Sequence, residues 1–144
     1  MSKVNKLKLF LVDDDALFLK SLEIEFNQLG TFDIKTYSTG EKCIESLSHH
    51  PDLIILDYHL DGIDKNAMNG MKALDKIKQF NENIPVIMLS SQDKIDVAIN
   101  CMHHKAADYV VKSETAFIRL QKIITDIFNV QKLQNVINWY EDRI

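Results

Sequence analysis

Side chains able to do charge or proton chemistry follow four short apolar runs of this chain. They are the carboxylates of Asp13, Asp14 and Asp15, the carboxylate of Asp57, the hydroxyls of Ser90 and Ser91, and the amine of Lys112. Carboxylates that meet at one point repel each other, and a divalent cation can offset that repulsion. Oxygen ligands without histidine or cysteine suit Mg²⁺, or the similar Mn²⁺. A cation beside a carboxylate, a hydroxyl and a lysine is suited to phosphoryl transfer onto the carboxylate.

The apolar runs themselves are typical of buried strands. Residues 53–56 are apolar throughout and lead directly into Asp57. Such runs, and one alternating segment, predict strands at 7–12, 32–37, 53–57, 85–89 and 109–112. Apolar residues at helical spacing predict helices at 16–29, 40–49, 70–80 and 93–104 and a further helix after Ser113. Strands that alternate with helices form a parallel sheet covered on both faces, so the reactive side chains should share one edge of it.

Three residues are predicted to shape helix ends. Gly30 follows the first helix, where a left-handed residue commonly closes the last turn. Asp93 and Ser113 precede the fourth and fifth helices, and short polar side chains of this kind cap helix N-termini. We therefore expect a glycine cap after the first helix and side-chain caps at Asp93 and Ser113.

Composition and length restrict the function classes. The chain has 144 residues, of which 46% are hydrophobic and 26% charged, as in one folded domain. The net charge of −4 argues against a nucleic-acid surface. No apolar segment approaches the roughly 18 residues of a spanning helix, and the basic start at residues 1–6 is followed too soon by charge to be a signal peptide. We expect a cytoplasmic protein that binds neither membrane nor nucleic acid.

Four motifs in this chain resemble the receiver-domain signature of two-component response regulators. They are Val12–Asp15, Leu56–Asp57, Met88–Ser91 and Asp108–Lys112, in the family's order and at similar spacings over residues 7–126. The resemblance implies a flavodoxin-like, doubly wound fold with strand order 2-1-3-4-5. It also implies a receiver domain of the single-domain type at residues 1–126, followed by a helical C-terminal extension at 127–144.

Carried onto this sequence, the resemblance assigns the metal site and the phosphoacceptor. Asp57 corresponds to the residue that accepts the phosphoryl group. Asp14 corresponds to a direct Mg²⁺ ligand, Asp13 to one that acts through water, and His59 to the residue whose backbone carbonyl completes the protein ligands. Asp15 matches the family's third acid, which is not a ligand.

The same resemblance assigns a switch and partners. Ser90 corresponds to the hydroxyl that grips the phosphoryl group, Lys112 to its ion-pair partner, and Tyr109 to the aromatic residue that moves inward with Ser90. The phosphoryl donor would be a histidine kinase or a histidine phosphotransfer protein, and phosphorylation would change the binding of a downstream protein. Such a domain promotes its own phosphorylation and slow dephosphorylation and is not otherwise an enzyme.

Three departures from the family pattern are visible. Residues 62–68 hold an insertion of roughly five residues, either a specificity loop or a tolerated surface excursion. Ser113 stands where the family has a proline, so the Lys112–Ser113 bond should be trans. Lys105 stands where the family has a glycine, and since lysine tolerates a left-handed conformation poorly, the fourth helix should end differently.

The C-terminal tail carries two apolar stripes. The first is Phe117, Leu120, Ile124 and Ile127, and the second is Val130, Leu133, Ile137, Tyr140 and Ile144. Either one long helix changes faces between them or the helix breaks near Asn129. We favour homodimerisation or partner docking for the second stripe over packing on its own domain. The tail has no recognition-helix pattern for DNA.

Two alternative functions stay open from the residues alone. An Asp-based phosphohydrolase also combines an aspartyl phosphate, Mg²⁺ and a lysine, although such enzymes usually carry Asp-x-Asp at the first strand. A degenerate receiver would serve only as a protein-interaction module. Turnover of a phosphate ester would favour the first, and a missing response to beryllofluoride with Mg²⁺ would favour the second.

Overall fold

The computed structural model describes residues 6–143 of the protein. Five parallel strands form one sheet in the order β2-β1-β3-β4-β5, as predicted. The strands are β1 (Leu7–Val12), β2 (Phe32–Tyr37), β3 (Leu53–Asp57), β4 (Val86–Ser90) and β5 (Asp108–Val111). Residues 1–5 of the basic start and Ile144, the last residue of the second apolar stripe, lie outside the described residues.

Five α-helices alternate with these strands. They are α1 (Ala16–Gln28), α2 (Gly40–Glu45), α3 (Gly70–Phe80), α4 (Ile95–His103) and α5 (Ala116–Glu141), and a short 3₁₀ helix (Leu47–His49) follows α2. The predicted helix at 40–49 is therefore two pieces. Within residues 6–143, none of the helices combines the length and the apolar character that a membrane span requires.

The sheet separates two hydrophobic layers. Ile54 and Leu56 of β3 pack on the side of α3, with Leu74 and Ile77. The alternate residues of the same strand, Leu53 and Ile55, pack on the other side with residues of α1 and α5 such as Phe26 and Leu120. All five residues of β3 are buried. A strand covered on both faces needs an uninterrupted apolar sequence, which is why this run lacks polar alternation.

Two of the predicted helix caps are wrong. Lys94, not Asp93, precedes α4, and its side chain makes no capping bond. In the segment before α4, the Gln92 N–H donates to Ser90 Oγ at 3.0 Å. The last helix begins at Ala116 rather than directly after Ser113, because the Ala116 N–H donates to the Ser113 carbonyl at 3.1 Å in an intervening turn. Gly30 is left-handed, as predicted, with φ +69°.

The end of α4 also differs from the prediction. Lys105 adopts φ 72°, the left-handed conformation that the lysine was expected to avoid. Two backbone bonds fix it there, from Lys105 N–H to the Met102 carbonyl at 3.0 Å and from Ala106 N–H to the Cys101 carbonyl at 3.1 Å. These bonds satisfy carbonyls of the last turn and bury Ala106, which offsets the strain. The Lys112–Ser113 bond is trans, as predicted, since residues 6–143 contain no cis peptide bond.

The last helix is long and continuous. It runs for 26 residues, from Ala116 to Glu141, without a break near Asn129. Its buried residues are Ala116, Leu120 and Ile124, all in the first half. Phe128 is partly buried against the same layer. The second half therefore extends past the part of the helix that the sheet supports.

Candidate functional site

The reactive side chains predicted from the sequence meet at the C-terminal edge of the sheet. Lys112 Nζ lies 2.8 Å from Asp13 Oδ2 and 3.4 Å from Asp57 Oδ1. Asp13, Asp57 and Ser90 are 2%, 2% and 0% exposed. Asp14 is half-buried beside them. We call these five residues, Asp13, Asp14, Asp57, Ser90 and Lys112, the charged edge.

Backbone pairing continues past the strand ends and fixes these residues. The Asp13 N–H donates to the Tyr37 carbonyl at 3.0 Å, and the Lys112 N–H donates to the Ser90 carbonyl at 2.7 Å. Asp15 points elsewhere, because its carboxylate accepts bonds from the N–H groups of Leu17 and Phe18 and caps α1. Asp15 is therefore engaged in capping α1 rather than in the charged edge.

Three carboxylates of the charged edge lie close enough to share a cation. Asp13, Asp14 and Asp57 each offer an oxygen within 4.8 Å of the others, the only such group of potential ligands among residues 6–143. The set contains only hard oxygen donors, which fits Mg²⁺ or Mn²⁺ and disfavours zinc. The geometry of the side chains thus agrees with the predicted metal site.

The pKa of Asp57 also fits a site that binds a cation. Burial and the neighbouring carboxylate of Asp13 raise the pKa of Asp57 to about 8, although Lys112 acts in the opposite direction. Burial lowers the pKa of Lys112, but its contacts with Asp13 and Asp57 outweigh that and raise the pKa above its ordinary value. One lysine therefore does not compensate both buried acids, and a bound cation would favour the ionised form of Asp57.

Tight backbone packing supports the end of β3. A Cβ added to Gly70 would lie 2.3 Å from the Asp57 carbonyl oxygen and 2.7 Å from Tyr58 Cα. The Gly70 N–H also donates to the Tyr58 carbonyl at 3.0 Å. Only glycine lets the start of α3 approach the strand this closely. The sequence gives no sign of this contact, which depends on the path of the chain after the insertion.

The insertion is tied to the charged edge at one end and to α2 at the other. At one end, the Gly62 N–H donates to Asp14 Oδ2 at 3.1 Å. At the other, the Met68 N–H donates to both carboxylate oxygens of Glu41 on α2, at 3.2 and 3.1 Å. Ile63 between them is exposed. Sequence reasoning missed Glu41, because a contact between residues 27 positions apart has no local signal.

His59 contacts the site through its main chain. Its N–H donates to Asp57 Oδ1 at 3.2 Å. Its ring packs edge-on against Tyr58, with ring centroids 4.8 Å apart. The His59 Nε2 atom is buried without a hydrogen-bond partner among the described residues. The prediction that the His59 carbonyl is a metal ligand stays a prediction.

Ser90 and Tyr109 meet at one residue, Gln92. Ser90 Oγ accepts from the Gln92 N–H at 3.0 Å, and the Tyr109 hydroxyl donates to the Gln92 carbonyl. Burial raises the pKa of the Tyr109 phenol, so the group stays a neutral donor at neutral pH. A displacement of Ser90 would thus reach Tyr109 through the Gln92 backbone.

Comparison with known sequences gives one clear family match. Residues 9–125 match the sequence model of the response regulator receiver domain. The luminescence regulatory protein LuxO of Vibrio campbellii is 34% identical over 103 residues, which is 71% of this chain and 21% of that protein. The chain thus spans about a fifth of the length of this curated relative.

Solved structures with the same fold include two receiver-type domains. The signal receiver domain of a LuxO repressor protein from Vibrio parahaemolyticus has a TM-score of 0.78 at 25% identity, covering 92% of this chain and 98% of that one. CheY in a CheX–CheY–beryllofluoride–magnesium complex from Borrelia burgdorferi has a TM-score of 0.74 at 25% identity, covering 85% and 89%. Each likeness covers at least 85% of this chain.

Proposed function

The chain belongs to the response regulator receiver domain family of two-component signal transduction, and we propose that Asp57 is its phosphoacceptor. The observation that carries this proposal is the placement of a buried carboxylate, Asp57, 3.4 Å from the Nζ of a partly buried lysine, Lys112. Asp57 also stands at the C-terminal end of the central strand, the position at which open α/β sheets bind ligands.

The proposed reaction transfers a phosphoryl group from a phosphohistidine to the Asp57 carboxylate. The phosphorus–nitrogen bond of the donor breaks, a phosphorus–oxygen bond to Asp57 forms, and the histidine leaves with the electron pair of the broken bond and takes up a proton. Lys112 would balance charge on the phosphoryl oxygens, and the Ser90 hydroxyl would donate a hydrogen bond to one of them. The donor we propose is a histidine kinase or a histidine phosphotransfer protein.

The metal site we propose is built by four residues. Asp14 and Asp57 would bind Mg²⁺ directly, Asp13 through water, and the carbonyl of His59 would complete the protein ligands. When bound, Mg²⁺ (or Mn²⁺) supplies positive charge that neutralises the carboxylates and the transferring group. The Borrelia relative was solved with beryllofluoride and magnesium, which supports this assignment by similarity.

The switch we propose runs through Gln92. A phosphoryl group on Asp57 adds negative charge that Ser90 reaches only by moving toward it. Ser90 would then pull on the Gln92 N–H, and Tyr109 would lose or exchange its bond to the Gln92 carbonyl. The changed surface near Tyr109 would bind a downstream protein, in the cytoplasm and without contact to nucleic acid. The chain would act as a phosphoacceptor and not as an enzyme with substrate turnover.

Labelling by acetyl phosphate with Mg²⁺ tests the acceptor. We expect the full chain to gain one phosphoryl group, seen by intact-protein mass spectrometry, and Asp57→Asn to gain none. Asp64→Asn is the matched control, because it makes the same chemical change on the exposed insertion. Undiminished labelling of Asp57→Asn would contradict the assignment of Asp57 as the phosphoacceptor.

Two further measurements separate the proposal from its alternatives. Asp14→Asn should weaken Mg²⁺ binding by about tenfold or more, since it removes one charged ligand. Beryllofluoride with Mg²⁺ should shift the amide resonances of Ser90, Gln92 and Tyr109. An unchanged spectrum would favour an interaction module, and steady release of phosphate from an ester would favour a phosphohydrolase.

A further inference from the structure

The second half of α5 presents an apolar stripe that its own domain does not cover. Val130, Leu133, Ile137 and Tyr140 are 66%, 64%, 49% and 61% exposed. We call these four residues the tail stripe. Exposed apolar residues scattered singly are ordinary, but a continuous stripe along one helix marks an interaction surface.

The tail stripe faces away from the sheet. Leu133 follows the buried Ile124 by nine residues of one continuous helix. Nine residues make about two and a half turns at 3.6 residues per turn, so Leu133 lies about opposite Ile124 around the helix axis. Because α5 does not break between them, the stripe does not fold back on its own domain. Its own domain therefore leaves the stripe open to another chain.

The spacing of the residues in the tail stripe indicates what kind of partner it binds. Its members follow one another at intervals of three, four and three residues, the heptad pattern of a coiled coil. Val130 and Ile137 occupy the a positions, and Leu133 and Tyr140 the d positions. Branched residues at a with leucine at d favour two parallel strands. Most of the remaining positions, including Gln131, Lys132, Asn135, Asn138 and Asp142, are polar, whereas Val136 flanks the stripe and Trp139 lies on the outer face of the helix.

A second copy of the same helix is a suitable partner for the tail stripe. Residues 129–143 carry Lys132 and Arg143 against Glu141 and Asp142, so the segment has no net charge and two copies do not repel each other. The helix is also already nucleated, because its first half packs on the sheet. Association then orders little additional chain, which removes the main cost for so short a coiled coil.

We propose that residues 129–143 of two copies of this chain pair as a parallel, two-stranded coiled coil through the tail stripe. The contact spans only about two heptads and belongs with small, transient interfaces, below about 1,200 Å². Dimerisation should therefore depend on protein concentration. The proposal does not rest on phosphorylation of Asp57.

Multi-angle light scattering on the full chain tests the association. Samples should reach about 1 mM, since small interfaces can have a Kd well above 1 µM. We expect the mass to rise toward twice 16.6 kDa. Leu133→Asp with Ile137→Asp should weaken the dimer by at least about tenfold in Kd. Asn135→Asp with Asn138→Asp, which adds the same charge to the outer face, should still dimerise.

Several results would overturn the proposal. A parent chain that stays monomeric over the whole series, or one that forms trimers, contradicts the two-stranded assignment. Equal dimerisation of parent and Leu133→Asp/Ile137→Asp means that another surface pairs. Circular dichroism and thermal unfolding equal to those of the parent chain will verify that the variants are folded.

Disulfide trapping tests the orientation separately. Val130→Cys and Tyr140→Cys should each form a dimer linked through its own new cysteine, because equal positions face each other in a parallel pair. Cys43 and Cys101 are buried and do not compete. Asn135→Cys on the outer face is the control and should link poorly. Links formed only when Val130→Cys and Tyr140→Cys are mixed would mean an antiparallel pair and would refute the parallel one.

Discussion

At the charged edge, two buried acids contact one partly buried lysine, whereas on the tail stripe four apolar side chains remain about half or more exposed. Both arrangements are energetically unfavourable by themselves. The charged edge buries two like charges, and the tail stripe exposes apolar side chains to water. The edge relieves its cost largely within one chain, through Lys112 and backbone bonds.

The difference separates what this chain can do alone from what requires another molecule. The charged edge is assembled by four strands and needs only a small ion and a phosphoryl donor. The tail stripe is assembled by one helix and needs a second surface of similar size. Substitutions at the edge should therefore change chemistry and stability in the monomer, and substitutions in the tail should change association alone.

Loss of Lys112 should have the largest effect. Lys112→Ala leaves Asp13 and Asp57 buried without their cation, so we expect the free energy of unfolding to fall by about 3 kcal/mol at neutral pH. Labelling by acetyl phosphate should slow by about 100-fold, the usual effect of removing one transition-state donor. Urea unfolding and mass spectrometry measure the two. Lys132→Ala, in the tail, should change neither the free energy of unfolding nor the labelling rate. An equally small effect of Lys112→Ala would contradict the difference between the charged edge and the tail.

The pH dependence of stability should reveal the buried acid. Folding raises the pKa of Asp57 from 3.8 to about 8. Between these values the folded chain binds more protons than the unfolded chain, so stability falls as pH rises through that window. Without divalent cations, Asp57→Asn should flatten this dependence and raise the Tm at pH 8 by at least about 4 °C.

Calorimetry of the parent chain, Asp57→Asn and Asp64→Asn checks that expectation. Asp64 lies on the exposed insertion, so its variant should follow the parent curve. Parallel pH curves for all three proteins would show that Asp57 titrates normally. Added Mg²⁺ should reduce the difference between the parent and Asp57→Asn, because the cation stabilises the ionised carboxylate.

Weakening the contact between Glu41 and the insertion should have a moderate effect. Glu41→Gln weakens a charged acceptor of the Met68 N–H, and we expect a loss of about 1 kcal/mol in the local stability of the loop. Hydrogen exchange at the Met68 amide should accelerate roughly fivefold as a result. Glu45→Gln, an exposed residue at the end of the same helix, is the matched control. Equal exchange rates in the two variants would mean that Glu41 does not hold the loop.

Deletion of the tail should have the smallest effect on the monomer. A chain that ends at Asn129 keeps the buried residues Leu120 and Ile124 and the partly buried Phe128. Its free energy of unfolding at low concentration should stay within about 0.5 kcal/mol of the parent value. The rate of labelling should also be unchanged. A large loss of stability would mean that the tail packs on its own domain after all.

The sequence predicts most of the sheet because buried parallel strands carry a strong signal. Residues 53–57 are apolar until the acid, and the structure buries all of them. The positions of Asp13, Asp57, Ser90 and Lys112 follow from strand ends, which all open on one edge in a parallel sheet. Recognition of the family motifs added the strand order.

Helix ends and loop anchors were predicted poorly because tertiary bonds decide them. Asp93 has the side chain of a cap, but α4 begins only at Ile95, after Lys94. Lys105 accepts a left-handed conformation because two backbone bonds hold it. Whether α5 breaks near Asn129 could not be decided from two apolar stripes, since a continuous and a broken helix share the same spacing.

The length of α5 gives the molecule a mechanical property. Its 26 residues span about 39 Å at 1.5 Å per residue, and Ala116 at its base is only four positions after Lys112. A tilt of about 5° at that base would swing the far tip through about 3 Å, simple lever geometry on a rod of this length. The helix is thus a lever whose base lies close to Lys112 in sequence and whose far arm carries the tail stripe, so a small rearrangement at the base becomes a larger displacement of the stripe.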